Sequence, residues 1–174
     1  MDMNQKSTNQ ENMEIKPIQL HQVKDVKQMI VTCAFELWQT HETIEELEKY
    51  LEEAGEFKDL NDVQITYLNN KGTFKVLIDN NNIVGAGAIR KLDEEICELR
   101  RMWFLKEYRG KGLGSKMAQK LLEFAKAEGY KKIRLDVYHP EMQMAAVALY
   151  KKLGFYEIPA YNKFPAKLWM EKVL

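Results

Sequence analysis

The chain has 174 residues, which is enough for one domain with a buried core. Its 26 Lys and Arg residues balance its 26 Asp and Glu residues, so it lacks the basic field that nucleic-acid binding usually needs. No apolar run approaches the length of a membrane span, and the first residues lack the apolar core of a signal peptide, so a cytoplasmic protein without a membrane partner is expected.

Two further features bear on the organisation of the chain. Cys33 and Cys97 lie far apart without a paired-ligand motif, which argues against a disulfide framework and against a metal site. Residues 1–12 are polar and have nothing to bury, so they are predicted to form a disordered leader. A single domain is then expected to span residues 13–174.

The domain is predicted to open with one strand and two helices. A short, loosely alternating strand is expected over residues 13–20. Apolar residues at three- and four-residue steps predict a helix over residues 23–39. Thr43 begins a second helix, because Glu46 three residues later completes a capping box. Residues 59–72 show no regular pattern and are expected to be irregular.

Three strands are predicted next, over residues 73–79, 83–90 and 95–105. Only short turns join them, and antiparallel hairpins are the simplest connections of that length. Gly85 and Gly87 are unusual inside a strand. A bulge or the close approach of another part of the chain is the usual reason for such glycines.

The last part of the chain predicts a strand–helix–strand unit. Leu113 and the apolar residues that follow it at four-residue steps predict a helix that stops at Gly129. Residues 132–139 alternate as a strand, which should lie parallel to the strand before the helix. One more helix and two strands are predicted over residues 143–153, 155–161 and 167–173. The fold class is therefore α+β, a mixed sheet flanked by helices.

An apolar run ends in a glycine-rich turn, and a helical pattern begins at once. The turn contains Gly110, Gly112 and Gly114. A strand that stops against such a turn directs several backbone N–H groups, together with the positive end of a helix, at one point. This arrangement predicts an anion site. A plain strand-to-helix connection that uses glycine for tightness is the alternative.

Two common phosphate-binding patterns do not fit this turn. A nucleoside-triphosphate loop needs Ser or Thr after Gly-Lys, where this chain has Gly112. A dinucleotide-binding turn needs a third glycine where this chain has Ser115 or Met117. Asp136 does lie at about the distance expected of a ribose-binding acid, which is a coincidence of spacing.

The turn, Arg109-Gly-Lys-Gly-Leu-Gly114, resembles the Arg/Gln-x-x-Gly-x-Gly/Ala signature of the GNAT superfamily of N-acetyltransferases. A second segment, Gln143-Met-Ala-Ala-Val-Ala-Leu-Tyr150-Lys-Lys-Leu-Gly-Phe155, is similar to the Asn-x-x-Ala-x-x-Leu-Tyr-x-x-x-Gly-Phe segment of the same enzymes. The strand that starts at Cys97 resembles the fourth strand of the family. The likeness covers residues 73–161 well and residues 13–60 only in their strand and two helices.

The resemblance implies direct transfer of an acetyl group from acetyl-coenzyme A, the cosubstrate, to an amine. It implies a splayed, mostly antiparallel sheet of about seven strands and about four helices, with the thioester between the parted fourth and fifth strands. It assigns the pantetheine and thioester to backbone groups of Met102, Trp103 and Phe104. It assigns the pyrophosphate to Arg109, Gly110, Lys111, Gly112, Leu113, Gly114 and Ser115. Gln143 stands at the family's Asn position, where it keeps an amide with a longer reach.

Catalytic roles follow from the same resemblance. Tyr150 is the expected general acid, because a phenol stays protonated at neutral pH and can protonate a departing thiolate. Its alternative is a packed aromatic residue. Glu98 is the first candidate for the base, either directly or through a water molecule, and a structural ion pair with Arg100 or Arg101 is its alternative. His41 and His139 are further candidates that carry no partner motif.

The expected acceptor is a primary amine of a small, amino-acid-like molecule. Phe35, Trp38 and Tyr161 are expected to wall its pocket, or else to be ordinary packed rings. An enzyme for protein N-termini or lysines and a non-catalytic coenzyme A sensor remain the alternatives. No nucleic acid and no metal are expected, and a homodimer is an open alternative to a monomer.

Overall fold

The structure, a computed structural model, describes residues 13–174. The predicted leader lies outside these residues. The strands are β1 (Met13–Pro17), β2 (Thr73–Asp79), β3 (Asn82–Lys91), β4 (Ile96–Phe104), β5 (Lys132–Val137), β6 (Tyr156–Ile158) and β7 (Leu168–Val173). The helices are α1 (Val23–Trp38), α2 (Ile44–Glu53), α3 (Lys58–Asn61), α4 (Leu113–Ala127) and α5 (Met144–Lys152).

The strands form one sheet in the order β1-β2-β3-β4-β5-β7-β6. Every neighbouring pair is antiparallel except β4 and β5, which are parallel. The α+β prediction with a mixed, mostly antiparallel sheet of seven strands is therefore confirmed, as is the strand–helix–strand unit around α4. The four long helices that the apolar periodicity predicts are also present.

The predicted boundaries needed three corrections. The first strand ends at Pro17, although the N–H of Ile18 still donates to the carbonyl oxygen of Phe74 at 2.9 Å, and a short 3₁₀ turn begins at Leu20. The strand predicted over residues 155–161 ends at Ile158, just before Pro159. The segment predicted to be irregular contains α3 and a π-helical turn, Gln64–Leu68. These turns are too short to show helical periodicity, although Leu60, Val63 and Tyr67 are buried.

Two apolar clusters lie on opposite faces of the sheet. The first joins α1, α2 and α3 to the sheet and includes Val26, Leu47, Phe57 and Phe74. The second joins α4 and α5 to the other face and includes Met117, Leu121, Ile133 and Met170. Within the described part of the chain, no helix combines the length and the apolar character needed to cross a membrane.

The centre of the sheet parts between its two parallel strands. β4 and β5 pair only at Ile96 with Lys132, Cys97 with Ile133 and Glu98 with Arg134. Beyond these pairs β4 remains bonded to β3 alone, and β5 continues in its pairing with β7. The splayed sheet is therefore present, and one edge of β4 beyond Glu98 is left free of strand pairing.

A bulge in β4 lies beside this opening. The register of β3 against β4 shifts between Ala86 and Ala88, and Arg101 adopts a left-handed φ of 57°. A Cβ atom at Gly87 would lie 2.8 Å from Sδ of Met102. A Cβ atom at Gly85 would lie 2.4 Å from the ring of Phe104. Both reasons expected for glycine inside this strand, a bulge and a close approach, are thus found.

A buried ion pair joins Arg101, the bulged residue of β4, to Asp59 of α3. Arg101 donates from Nε to Oδ2 of Asp59 at 2.9 Å and from Nη2 to Oδ1 at 2.5 Å. The two side chains are 10% and 9% exposed. Burial opposes ionisation of Asp59, but the hydrogen bonds from Arg101 outweigh it and lower the pKa of Asp59 to about 2. Tyr67 also donates its hydroxyl to this carboxylate.

We expect Asp59→Asn to lower the free energy of unfolding by about 3 kcal/mol, because it leaves Arg101 buried without its counter-charge. Urea denaturation near pH 7 measures this loss. Asp62→Asn is the control, since Asp62 is an exposed acid four positions after Lys58. Its free energy of unfolding should stay within about 0.5 kcal/mol of the wild-type value. Equal stability of the two variants would show that the buried pair does not hold the bulge.

The pH dependence of the free energy of unfolding tests the same ion pair in a second way. The folded-state pKa of Asp59 lies below its ordinary value, so its contribution is complete above roughly pH 4 and is lost as the pH falls toward 2. The difference between wild type and Asp59→Asn should therefore shrink over that interval. A difference that stays constant between pH 5 and pH 3 would contradict the assigned shift.

Candidate active site

A cavity of about 310 Å³ lies where β4 and β5 part. Its floor and sides come from both strands, from α5 and from the end of α1. Met102, Trp103, Gln143 and Tyr150 line it, so four of the predicted site residues meet there. Residues that the sequence did not mark for catalysis also line it, among them Arg100, Asp136, Tyr138 and Phe164.

The glycine-rich turn forms a separate cradle at the start of α4. Gly110 and Gly112 have φ values of 72° and 76°, in the left-handed region, and a Cβ atom at either would meet no protein atom within 4 Å. In the described chain, the N–H groups of residues 110–115 donate to no backbone carbonyl, and the first that does is Lys116, to Gly112 at 3.1 Å. No side chain caps α4. These free donors and the open space fit a diphosphate.

The two basic side chains of the turn differ in their contacts. Arg109 donates from Nε to the carbonyl oxygen of Phe104 at 2.7 Å and lies 3.5 Å from the carboxylate of Glu36. It therefore braces the end of β4 against α1. Nζ of Lys111 lies over the ring of Tyr108, 5.7 Å from its centroid. Pyrophosphate binding by these two side chains stays a prediction.

Phe104 connects the cradle to the cavity, although it does not line the cavity itself. Its ring covers Gly85, and it lies 3.8 Å from the position of a Cβ atom on Gly114. Met102 and Trp103, the preceding residues of β4, do line the cavity. The chain therefore runs from the cavity through Phe104 to the glycine-rich turn without a break.

Tyr150 lies on α5 and faces the cavity from the side of the second apolar cluster. It is 7% exposed, and its ring lies 5.8 Å from that of Phe155. Among the described residues its hydroxyl has no hydrogen-bond partner. Burial, followed by the nearby carboxylate of Asp136, raises the pKa of Tyr150, so the phenol stays protonated through the neutral range. Packed ring and available hydroxyl coexist in this residue.

Gln143 caps the start of α5 and lines the cavity. Its Oε1 atom accepts a hydrogen bond from the backbone N–H of His139 at 3.3 Å. The side-chain oxygen is thus fixed on the protein, which leaves the amide nitrogen as the group available to a ligand.

Glu98 lies behind the cavity wall, with its side chain 1% exposed. Its Oε2 atom accepts from Arg90 at 2.5 Å and from Arg100 at 3.3 Å, and its Oε1 atom accepts from the hydroxyl of Tyr161 at 2.7 Å. The ion-pair alternative is therefore present, with Arg90 in place of Arg101. Glu98 as the base stays a prediction, but both of its oxygens are engaged.

The aromatic wall differs from the one predicted. Trp38 lines the cavity and meets Trp103 and Tyr138 edge to face, at centroid distances of 6.2 and 6.3 Å. Phe164 completes the wall beside Tyr138. Neither Phe35 nor Tyr161 lines it, because Phe35 packs on the first apolar cluster and Tyr161 is bonded to Glu98.

The two histidine candidates also lie outside the cavity lining. His41 bonds to Thr40 at 3.0 Å and rests on the ring of Tyr50. His139 bonds to Glu141 at 3.0 Å. Within residues 13–174, no group of His, Cys, Asp and Glu side chains is arranged to hold a metal ion.

Asp136 is the acid that the sequence did not mark for catalysis. It lies on β5 and lines the cavity, and its Oδ2 atom accepts from Nδ2 of Asn162 at 2.8 Å. Burial, and then the charge of Glu98, raises the pKa of Asp136. Asp136 alternates with the buried residues Leu135 and Val137 along β5, so it lies on the same face of the strand as Arg134. The alternation of the predicted strand already implies this placement. The parting of the strands is what opens that face to ligand.

Comparison with known proteins identifies the class. The model of the acetyltransferase (GNAT) family matches residues 24–155, so the chain belongs to the GNAT acetyltransferase family. An uncharacterised N-acetyltransferase of Escherichia coli, YjgM, is 40% identical over 79 residues, which are 44% of this chain and 46% of that protein. N-acetylaspartate synthetase of Xenopus tropicalis is 36% identical over 99 residues, 56% of this chain and 36% of that protein. The chain thus spans less than half the length of these relatives.

Solved structures share the fold. A GNAT acetyltransferase from Staphylococcus aureus Mu50 matches with a TM-score of 0.78 and 22% identity, over 93% of this chain and 99% of that one. The PaiA N-acetyltransferase of Thermoplasma acidophilum, solved in complex with coenzyme A, matches with a TM-score of 0.73 and 17% identity, over the same shares. At these identities the likeness establishes the fold of the chain.

Proposed function

We propose that this protein transfers an acetyl group from acetyl-coenzyme A directly to a primary amine of a small molecule, with Tyr150 as the general acid. The observation that carries the proposal is that Tyr150 lines the cavity between the parted strands and that its hydroxyl has no hydrogen-bond partner among residues 13–174. A buried phenol in that position is set to give its proton to a departing thiolate. A sensor that only binds coenzyme A has no need of such a group.

The unpaired backbone groups between the cavity and the glycine-rich turn support a binding site for the cosubstrate. Unpaired N–H groups at residues 110–115 suit the diphosphate, and the free edge of β4 at Met102 and Trp103 suits the pantetheine and the thioester carbonyl. One N–H fixed at that carbonyl would stabilise the negative charge that develops on its oxygen. Related folds are known with coenzyme A or acetyl-coenzyme A bound.

The size of the cavity supports a small acceptor. About 310 Å³ is at the lower end of the range for small-molecule sites. Four aromatic residues, Trp38, Trp103, Tyr138 and Phe164, line its acceptor side, which suits a small molecule that packs against rings. Several relatives are named N-acetylaspartate synthetase, so an amino acid is the acceptor of proteins that share this region.

Cytoplasmic location and a homodimer stay predictions.

Steady-state acetyl transfer tests the proposal. Released thiol is measured with free amino acids, polyamines, other small amines and peptides as acceptors. Turnover on at least one small amine, well above turnover on peptides, is the expected result. Turnover on peptides with none on any free amine would favour an enzyme for protein amines, and coenzyme A binding without turnover on any acceptor would favour the sensor.

Gly112→Ala should weaken coenzyme A binding by about tenfold or more, because its new methyl group occupies the open space where the diphosphate must approach. Isothermal titration calorimetry measures the affinity. Gly129→Ala is the matched control: Gly129 has a similar φ of 87° and equally open space, but it lies at the other end of α4. Both variants carry the same backbone strain, so equal affinities would exclude the cradle.

Tyr150→Phe should lower kcat by about 10²-fold while it leaves coenzyme A affinity and thermal stability near those of the wild type, because the ring is kept. Tyr130→Phe provides the opposite pattern. Its buried hydroxyl donates to the carbonyl of Lys71 at 2.9 Å, outside the cavity, so its loss should cost stability and spare kcat. A Tyr150→Phe enzyme with normal kcat would make Tyr150 a packing residue only.

A further inference from the structure

We propose that Asp136 and Arg100 together form a site for a zwitterionic acceptor, an amine that also carries a carboxylate, in which Asp136 receives the ammonium proton and Arg100 binds the carboxylate. The inference rests on the proposed function and names the substrate class of that site. It also replaces Glu98 by Asp136 as the base. Free α-amino acids are the simplest molecules of this kind.

Asp136 offers one oxygen to a ligand. Asn162 occupies Oδ2, and no described residue donates to Oδ1. The bond from Asn162 fixes the orientation of the carboxylate, because the same amide also accepts from Nε1 of Trp169 at 3.0 Å through its Oδ1 atom. The free oxygen therefore belongs to a group that is oriented in advance and lines the cavity. Glu98, by contrast, has no free oxygen and does not line it.

Arg100 offers unused donors to the same cavity. Its single hydrogen bond among the described residues runs from Nη1 to Glu98 and is long, at 3.3 Å. Its Nε atom is buried, so the donors available to the cavity are those of the terminal nitrogens, of which Nη2 has no partner among the described residues. The guanidinium carries five N–H donors in a fixed plane, which suits a carboxylate held by two parallel bonds. Arg101, the other basic residue of the wall, is already saturated by Asp59.

The charges around the cavity suit a molecule with both signs. Asp59 neutralises Arg101, whereas Glu98 is shared between Arg90 and Arg100 and leaves one positive charge over. Asp136 supplies one negative charge that interacts with Arg100. An acceptor with an ammonium and a carboxylate would pair with both, while a plain amine would leave the excess positive charge of Arg100 unmatched. Each desolvated charge of this kind favours a complementary ligand on the order of tenfold or more.

The proton transfers balance. An ammonium group is mostly protonated at neutral pH, so it must lose one proton before its nitrogen can attack. Asp136 takes that proton. The nitrogen then forms a bond to the acetyl carbon as the carbon–sulfur bond breaks, and Tyr150 donates its proton to sulfur. The nitrogen gives up a second proton, which replaces the one lost from Tyr150, and the proton on Asp136 passes to solvent.

The first test compares each amino acid with the amine that remains when its carboxylate is removed, for instance L-leucine and 3-methylbutylamine. The wild type should show kcat/KM about 30-fold or more higher for the amino acid. Arg100→Gln should reduce this ratio to below about threefold. Arg134→Gln is the matched control, because it removes the same charge from a side chain that pairs with Glu171 outside the cavity, and it should keep the ratio.

Three results of this test would overturn the carboxylate site. They are a wild-type ratio near one, a ratio that Arg100→Gln leaves intact, and an equal loss in both variants. If Arg100→Gln does not fold, Arg100→Lys keeps a charge beside Glu98 and removes the planar pair of donors. It should then also lower the ratio.

The second test separates the two candidate bases by pH. Asp136→Asn should lower kcat/KM by about 10²-fold at pH 7 and recover toward the wild-type rate by about pH 10, where the free amine no longer needs a base. Glu98→Gln should lose stability and show no such recovery in its folded fraction. The reverse assignment of these two profiles would overturn the role of Asp136. The charged and titratable groups that act on or near Asp136 are Glu98, Arg90, Arg100, Tyr150 and Tyr161.

Calorimetry distinguishes failure of the zwitterion site from failure of the proposed acetyl transfer. The amino acid is titrated into wild type and Arg100→Gln that are saturated with coenzyme A. Binding that depends on Arg100, without turnover on any amine, would support the zwitterion site and defeat the acetyltransferase. Turnover on plain amines without any preference for a carboxylate would do the opposite.

Discussion

β4 and β5 stop pairing after three residues, and this parting creates the site at the centre of the sheet. A sheet in which both strands stayed paired would have no room for a ligand at its centre and no free edge on β4. The bulge at Arg101 lies just beyond the last pair, and the buried contact with Asp59 holds it there. The ion pair that connects β4 to α3 also borders the opening. The stability of the fold and the geometry of the site therefore depend on the same contact.

The opening divides the chemistry between two faces of the sheet. Tyr150 approaches from the face covered by α4 and α5, together with the phosphate cradle. Asp136 and Arg100 lie on the opposite face, with the aromatic wall of the acceptor side. The proposed acid on one side and the proposed base on the other suit a reaction in which an amine loses a proton and a departing thiolate gains one. The gap is the place where the two half-sites meet.

The sequence predicted the fold and the cradle because both depend on local signals. Apolar periodicity revealed the long helices and alternation revealed the strands, while the glycines marked the bulge and the turn before α4 for which we propose diphosphate binding. The acceptor side depends instead on contacts between distant segments. That Glu98 would be enclosed by Arg90 and Tyr161, and that Asp136 would keep a free oxygen, follows from side chains 8 to 63 residues apart and from the angle at which two strands separate. No local pattern carries that information.

Amide hydrogen exchange with and without coenzyme A tests whether the free edge of β4 and the turn before α4 form one binding surface. The ligand should slow exchange at residues 110–115 and at those amides of residues 102–104 that face the gap, while residues 96–98, which already pair with β5, should change little. Slowed exchange at the turn alone, or at neither segment, would contradict the account.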